Sequence, residues 1–200
     1  MTDSPTLRTL AVFCGSNSGA SPAYGDAART LGREMTSRGT TLVYGGGDVG
    51  LMGIVADTVM AGQGKVIGVL PEVLVKREVA HHGITDLILV DTMHERKQRM
   101  YEMADAIVAL PGGIGTLDEL FETFTWNQLG VHFKPLGLLD VDGYWDPLVD
   151  MLDRMVDRGF LHAETRAMLA VDADPVRLLD RLASARPVSV EKWLDRAHLA

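Results

Sequence analysis

The stretch Leu110–Glu119 reads Leu-Pro-Gly-Gly-Ile-Gly-Thr-Leu-Asp-Glu. It follows an apolar run, Ala106–Leu110, and precedes an amphipathic segment that begins at Thr116. This setting predicts a turn that leads from a buried strand into a helix. Glycines let backbone N–H groups approach a ligand closely, and the start of a helix adds unpaired N–H donors and a positive dipole end. The turn is therefore suited to an anion such as a phosphate, with Glu119 as a neighbouring carboxylate.

On both sides of this stretch, strand-like and helix-like segments alternate along the chain. Apolar runs predict strands at Thr9–Cys14, Thr40–Tyr44, Lys65–Leu70, Asp86–Val90, Ala106–Leu110 and Pro135–Leu139. Helical spacing predicts helices from Pro22 up to Gly39 and at Leu51–Ala61, Thr92–Ala104, Thr116–Leu129, Tyr144–Arg158 and Pro175–Ala185. Alternation of this kind requires parallel strands joined by crossover helices. The predicted fold class is α/β, with a doubly wound parallel sheet and helices on both faces.

Composition limits the class of protein further. A chain of 200 residues with 46% hydrophobic residues is expected to form a single domain, residues 1–200, with a folded part of about 9–186 and a tail at 187–200. The net charge of −8 and the pI near 5.2 argue against a general nucleic-acid or anionic-membrane binder. Cys14 is the single cysteine, which excludes an intrachain disulfide and favours a cytoplasmic location. No apolar run reaches the roughly 18 residues that a membrane span requires.

Four turns at the predicted carboxyl ends of strands carry chemically marked residues. They are Gly15–Gly19, Gly45–Gly50, Asp91–Lys97 and Pro111–Glu119. In open α/β sheets, ligands bind outside the carboxyl ends of the strands, where the strand order reverses. We therefore expect these turns to converge on one site.

The second of these turns, Gly45–Gly50, fits the pattern G-x-G-x-x-G between a strand and a helix. Glu72, just past the next strand, could bind a ribose, so the pattern admits a dinucleotide-binding oxidoreductase. The same glycines are explained nearly as well by a tight turn with close helix packing. A nucleotide-binding or carrier protein without catalysis would also keep the glycine turns.

Charged residues at two predicted helix starts have both structural and functional interpretations. Thr116 with Glu119, and Thr92 with Glu95, each fit a capping box. For Glu95 capping is the preferred interpretation. For Glu119 it is not, because the turn ahead carries three glycines and a proline, more backbone specialisation than a cap requires.

Arg96 and Lys97 stand in the first turns of a predicted helix, where the dipole disfavours cations. A phosphate, or a carboxylate such as Glu119, would supply the anionic partner that they need. Cys14 and Ser16 have no defined base, so they are predicted to line a nucleotide rather than act as nucleophiles. The histidines show no metal-ligand spacing with cysteine or acidic residues, and neither a metal nor another cofactor is expected.

An apolar set on the predicted helix after Thr116 has two interpretations. The set comprises Phe121, Phe124, Trp126 and Leu129, which follow helical spacing. Core packing is the first interpretation, and a helix at a dimer contact could use the same residues.

Taken together, the motifs resemble those of one family. They are Phe13–Ser16, Gly45–Gly47 with Gly50–Gly53, Met93–Lys97, and Pro111–Thr116 with Glu119. In this order they resemble the LONELY GUY family of cytokinin-activating enzymes, and the likeness runs from about Thr9 to Phe160. The resemblance implies a Rossmann-like homodimer that hydrolyses the N-glycosidic bond of N6-modified adenosine 5'-monophosphates, with AMP as a further candidate. The products would be the free base and ribose 5-phosphate.

Site residues follow from the resemblance and from the turns described above. Arg96 and Glu119 are the implied catalytic pair. The expected substrate-binding residues are Gly15, Ser16, Gly46, Glu78, Met93, Lys97, Gly112, Gly113, Ile114, Gly115, Thr116, Leu117, Asp118 and Thr125. Family members are often labelled lysine decarboxylases, but no lysine environment suited to pyridoxal phosphate is recognisable in the sequence.

Overall fold

A seven-stranded parallel sheet forms the centre of the protein. The structure is a computed structural model that describes residues 7–75 and 80–186. The strands are β1 (Thr9–Phe13), β2 (Thr41–Tyr44), β3 (Val66–Pro71), β4 (Asp86–Val90), β5 (Ala106–Ala109), β6 (Leu136–Leu139) and β7 (Leu169–Asp172). Their order across the sheet is β4-β3-β2-β1-β5-β6-β7. The predicted α/β class, with its Rossmann-like doubly wound sheet, is confirmed.

Helices connect the strands and cover both faces of the sheet. They are α1 (Pro22–Ser37), α2 (Gly50–Ala61), α3 (Met93–Met103), α4 (Ile114–Gln128), α5 (Asp146–Asp157), α6 (Ala163–Ala167) and α7 (Pro175–Ser184). One face packs against α1, α2 and α7 through buried residues such as Leu31, Val55 and Leu178. The other face packs against α3, α4 and α5 through Met100, Leu120 and Leu152, among others. The sheet is therefore shielded on both sides, as all-parallel sheets require.

The strand order reverses beside β1, which pairs with β2 on one side and β5 on the other. Backbone hydrogen bonds tie together the turns that follow these strands. Gly15 N–H donates to Pro111 C=O over 3.1 Å, and Leu51 N–H donates to Gly15 C=O over 3.0 Å. The turns after β1, β2 and β5 consequently meet at one edge of the sheet, as ligand sites in this class of fold do.

The start of α4 differs from the capping-box prediction. The N-cap is Gly113, with an extended backbone and no side-chain cap, and the helix begins at Ile114. Thr116 is therefore the third helical residue and Glu119 the sixth, so neither caps the helix. Gly113 adopts the N-cap conformation without a side-chain oxygen, so the helix starts two residues earlier in the chain than predicted. By contrast, Thr92 does cap α3, since its Oγ1 accepts from Glu95 N–H over 3.0 Å.

Smaller differences lie in the second half of the chain. The edge strand β7, which pairs with β6, and the short helix α6 were not predicted. Helix α5 starts at Asp146 rather than Tyr144, and Asp142 and Gly143 in the turn before it adopt left-handed conformations with φ of 54° and 70°. No helix in the described ranges is both long and apolar enough to cross a membrane. The predicted tail, residues 187–200, lies outside the described residues.

Candidate active site

A cavity of about 190 Å³ opens where the turns after β1, β2 and β5 meet the starts of α3 and α4. Its wall is formed by Val12, Cys14, Gly15, Ser16, Gly45, Met52, Arg96, Gly113, Ile114, Gly115, Thr116 and Glu119. The lining combines one cation and one carboxylate with glycines, small polar side chains and a few apolar side chains. It lies at the edge where the sequence predicts a ligand site.

Arg96 and Glu119 form the charged centre of this cavity. The two residues are only 5% and 8% exposed, and Arg96 Nη2 lies 3.7 Å from Glu119 Oε1. Buried charges persist in proteins when they are paired and hydrogen-bonded. Glu119 is thus the anionic partner that a cation at the start of α3 needs. Because Glu119 does not cap α4, helix capping does not account for this buried carboxylate.

Gly45 makes room for the guanidinium of Arg96. A Cβ at this position would lie 2.0 Å from Arg96 Nη2, which is closer than real atoms approach, and 3.2 Å from Met52 Sδ, which is a tight contact. The absence of a side chain therefore lets Arg96 lie against the end of β2 and face Glu119. The glycine turn after β2 serves the site through this close approach.

The other glycines of that turn pack against the protein itself. A Cβ at Gly46 would contact Leu70 and Leu87, and one at Gly50 would lie 2.3 Å from the backbone of Ser16. These contacts favour the interpretation in which the glycines of the G-x-G-x-x-G pattern allow close packing. They leave little of the backbone accessible to a pyrophosphate. The prediction that Gly46 binds substrate is not matched by its position, since Gly45 and not Gly46 lines the cavity.

The start of α4 offers backbone donors to the cavity. Gly113 and Gly115 line it, and a Cβ built on either glycine would meet no atom within 4 Å. Since no side chain in the described part of the chain caps this helix, its first N–H groups are left for a ligand. Together with the helix dipole they favour an anion, and the most suitable biological anion for such a turn is a phosphate.

Cys14 lies on the wall of the cavity and is 7% exposed. Burial, and after it the negative charge of Glu119, raise the pKa of the Cys14 thiol far above its usual range. The side chain is therefore a neutral thiol at physiological pH, which makes it a poor nucleophile. Its placement fits the predicted lining role.

Several predicted substrate-binding residues lie away from the cavity wall. Leu117, Asp118 and Thr125 line a shallow groove on the outer side of α4. Ile114 lines both this groove and the cavity. Lys97 Nζ is engaged by Glu122 Oε2 at 2.9 Å and by Asp118 Oδ2 at 3.1 Å.

The remaining predicted residues flank the cavity or fall outside the description. Met93 is 41% exposed, and its Sδ accepts from Arg96 Nη1 over 3.8 Å. Gly112 lies behind the cavity wall, in a neighbouring pocket beside Tyr144. Glu78 lies outside the described residues. Three residues on the wall were not predicted, namely Val12, Gly45 and Met52. Gly45 and Met52 belong to the quoted motifs. The position of Gly45 directly after β2 could have indicated its role.

A second polar cluster lies next to the turn after β2. Ligand atoms of Asp48, Asp57 and His81 fall within 4.8 Å of one another, a grouping that sequence spacing did not reveal. His81 Nδ1 accepts from Gly83 N–H over 3.1 Å, so the proton of the neutral ring sits on Nε2 and points to Asp57 Oδ1 at 3.0 Å. With its proton on Nε2, the ring offers no lone pair there to a metal ion. His81 N–H also donates to Gly46 C=O over 3.0 Å, so the cluster holds this turn in place.

Comparison with known proteins adds sequence evidence to this geometry. A model of the family described as "Possible lysine decarboxylase" matches residues 52–182. The cytokinin riboside 5'-monophosphate phosphoribohydrolase LOG of Oryza sativa subsp. japonica is 49% identical over 163 residues, which cover 82% of this chain and 67% of that protein. The cytokinin riboside 5'-monophosphate phosphoribohydrolase LOG2 of Arabidopsis thaliana is 46% identical over 176 residues, which cover 88% of this chain and 83% of that protein.

Solved structures of more distant proteins share the fold. The molybdenum cofactor binding protein from Rippkaea orientalis has a TM-score of 0.64 at 21% identity and covers 86% of this chain and 93% of its own. At this identity the likeness concerns the fold alone. The identity to the plant enzymes extends over most of both chains. The chain belongs to the LONELY GUY family of cytokinin riboside 5'-monophosphate phosphoribohydrolases.

Proposed function

We propose that this protein hydrolyses the N-glycosidic bond of cytokinin riboside 5'-monophosphates, that is, of N6-modified adenosine 5'-monophosphates. The bond between C1' of the ribose and N9 of the base breaks. Water supplies a hydroxyl group to C1', and a proton ends on the base. The products are the free base and ribose 5-phosphate. The observation that carries the proposal is the buried Arg96–Glu119 pair beside a helix start that is open to an anion.

Glu119 is the proposed catalytic carboxylate. Cleavage of a ribosyl bond develops positive charge on the sugar, and a carboxylate near C1' stabilises that charge or activates the attacking water. Its low exposure, 8%, strengthens this interaction because little water screens it. Arg96 orients the carboxylate from 3.7 Å and can bind the substrate at the same time.

The start of α4 is the proposed phosphate site. The N–H groups at Gly113–Thr116 would bind the 5'-phosphate and so place the ribose next to Glu119, which lies one turn further along the same helix. Because both groups belong to one rigid element, the distance between phosphate and carboxylate is constant. This arrangement suits a 5'-monophosphate better than a free nucleoside.

The matching family is described as a possible lysine decarboxylase, but the chemistry of Lys97, the lysine beside Arg96, does not favour that activity. Although partial burial disfavours the charge, hydrogen bonds to Glu122 and Asp118 raise the pKa of Lys97. A lysine that forms a Schiff base needs the opposite, a lowered pKa. Lys97 therefore stays protonated beside Glu122 and Asp118 and does not have the pKa that a Schiff base requires.

The proposal is tested by incubating the protein separately with AMP and with N6-isopentenyl AMP and by separating the products by chromatography. We expect free base and ribose 5-phosphate in equal amounts. Release of inorganic phosphate without base would indicate a phosphatase. Binding of either nucleotide without any product would indicate a carrier. Both of these results contradict the proposed reaction.

We also propose that the protein forms a homodimer through the outer face of α4. Ile114 is 82% exposed, Phe121 37% and Leu129 49%, and with Leu117 and Trp126 they form an apolar surface around the groove described above. Exposed apolar surface of this kind is typical of an interface. Phe124, from the same predicted set, is 6% exposed and belongs to the core.

Phe121→Asp is expected to convert the dimer into a monomer, because a charge in an apolar interface loses its hydration without gaining a partner. Light scattering after size-exclusion chromatography measures the mass directly. Phe160→Asp is the matched control, since Phe160 is 84% exposed, follows α5 and does not line the groove on α4. A monomeric wild type, or an unchanged mass for Phe121→Asp, would contradict the proposed interface.

A further inference from the structure

We propose that Tyr144 is a positioning residue that orients the backbone donors of the phosphate site, an inference that rests on the proposed function. Tyr144 lies in the loop before α5, outside the motif Pro111–Glu119. Its Oη donates a hydrogen bond of 2.5 Å to the carbonyl oxygen of Gly112. The contact joins two loops that are 32 residues apart in the chain.

The direction of this hydrogen bond determines where the next N–H points. In a trans peptide the C=O and the N–H point in opposite directions. The carbonyl of Gly112 points toward Tyr144, so the N–H of Gly113 points the other way. Gly113 lines the cavity that also contains Arg96 and Glu119. Tyr144 thereby aims the first of the proposed phosphate donors into the site.

The preceding peptide is held in a similar manner. Pro111 C=O accepts from Gly15 N–H over 3.1 Å, so two successive carbonyls of the turn are bound by groups outside it. A Cβ at Gly112 would lie 2.1 Å from Thr116 Oγ1 and 2.8 Å from Gly15 N, which shows how closely the turn is packed. Of these two groups, Tyr144 is the one that acts on the peptide of the helix N-cap.

Tyr144 is itself held in one orientation. Its ring packs edge-on against Tyr24, at 5.9 Å between centroids, and against Trp145, at 5.0 Å. Trp145 is 2% exposed, and its backbone N–H donates to Asp140 Oδ1 over 2.9 Å, which anchors the loop in the core. A hydroxyl on a ring that is fixed in this way binds its acceptor with little loss of side-chain entropy.

The test is Tyr144→Phe, which keeps both ring contacts and removes only the hydroxyl. Calorimetric titration with ribose 5-phosphate is expected to show binding about five- to tenfold weaker than in the wild type, the usual effect of one lost hydrogen bond. With N6-isopentenyl AMP, KM is expected to rise by a similar factor while kcat stays within about twofold, because the groups around C1' are unchanged. A purely structural role would instead lower the melting temperature and leave affinity unaltered.

Tyr24→Phe is the matched control. Tyr24 belongs to the same aromatic group, and its hydroxyl has no hydrogen-bond partner within the described ranges. Equal affinity in wild type and Tyr144→Phe, equal losses in both variants, or a wild type that does not bind ribose 5-phosphate would each overturn the inference. A wild type that binds ribose 5-phosphate but releases no base would overturn the proposed reaction, and the titration would still decide the role of Tyr144.

Discussion

Glu119→Gln is expected to lower the release of base from N6-isopentenyl AMP by about 10³-fold while the protein stays folded, since loss of one electrostatic group at a transition state has effects of this size. Glutamine has the same shape, and its amide oxygen can still accept a hydrogen bond from Arg96, so the buried contact survives. The negative charge that stabilises the ribosyl cation is lost. Single-turnover measurements of base release, with circular dichroism to monitor folding, check both parts of the expectation.

Glu95→Gln is the control for this experiment. Glu95 lies next to Arg96, and its Oε2 accepts from Asp91 N–H over 3.1 Å, at the start of α3. Glu95 is half-buried and does not line the cavity. We expect turnover within about twofold of the wild type, as for most surface substitutions away from a site. A fully active Glu119→Gln variant would exclude Glu119 as the catalytic carboxylate.

Gly45→Ala is expected to reduce kcat/KM by about 10²-fold, the cost of displacing a catalytic group by about 1 Å. The added Cβ would lie 2.0 Å from Arg96 Nη2, so the guanidinium has to move. Arg96 is 5% exposed and faces Glu119 from the wall of the cavity, so a displaced guanidinium no longer lies in the same position relative to the carboxylate. Steady-state kinetics with N6-isopentenyl AMP, together with thermal unfolding, separate the loss of activity from a loss of stability.

Gly25→Ala provides the comparison for this glycine substitution. Gly25 lies within α1, and its added Cβ would come no closer than 3.3 Å, to the flexible end of Arg29. Alanine is also the better helix former, so stability is expected to be equal or slightly higher and activity unchanged. Wild-type activity in Gly45→Ala would show that the position of Arg96 tolerates displacement.

Local patterns in the sequence were sufficient to predict most of the fold. The six predicted strands and the helices between them follow from hydrophobic periodicity and from helix caps, such as Ser21 before Pro22. These signals are local, since each depends on residues within a few positions. The convergence of the marked turns also follows from the sequence, because parallel strands bring their carboxyl ends to one edge. The pairing of Arg96 with Glu119 was expected on electrostatic grounds.

Contacts between residues that are remote in the chain could be seen only in the folded molecule. The start of α4 at Ile114 depends on the conformation of Gly113. The sequence did not show this, because a threonine three residues later looked like the N-cap. Three contacts have no local signal in the sequence at all. They are the approach of Arg96 to Gly45, the contact of His81 with Asp57, and the hydrogen bond from Tyr144 to Gly112. Pattern and charge predicted that Leu110–Glu119 would bind an anion beside a carboxylate. Three-dimensional packing determines which neighbours orient its donors, because those neighbours meet it only when the sheet has formed.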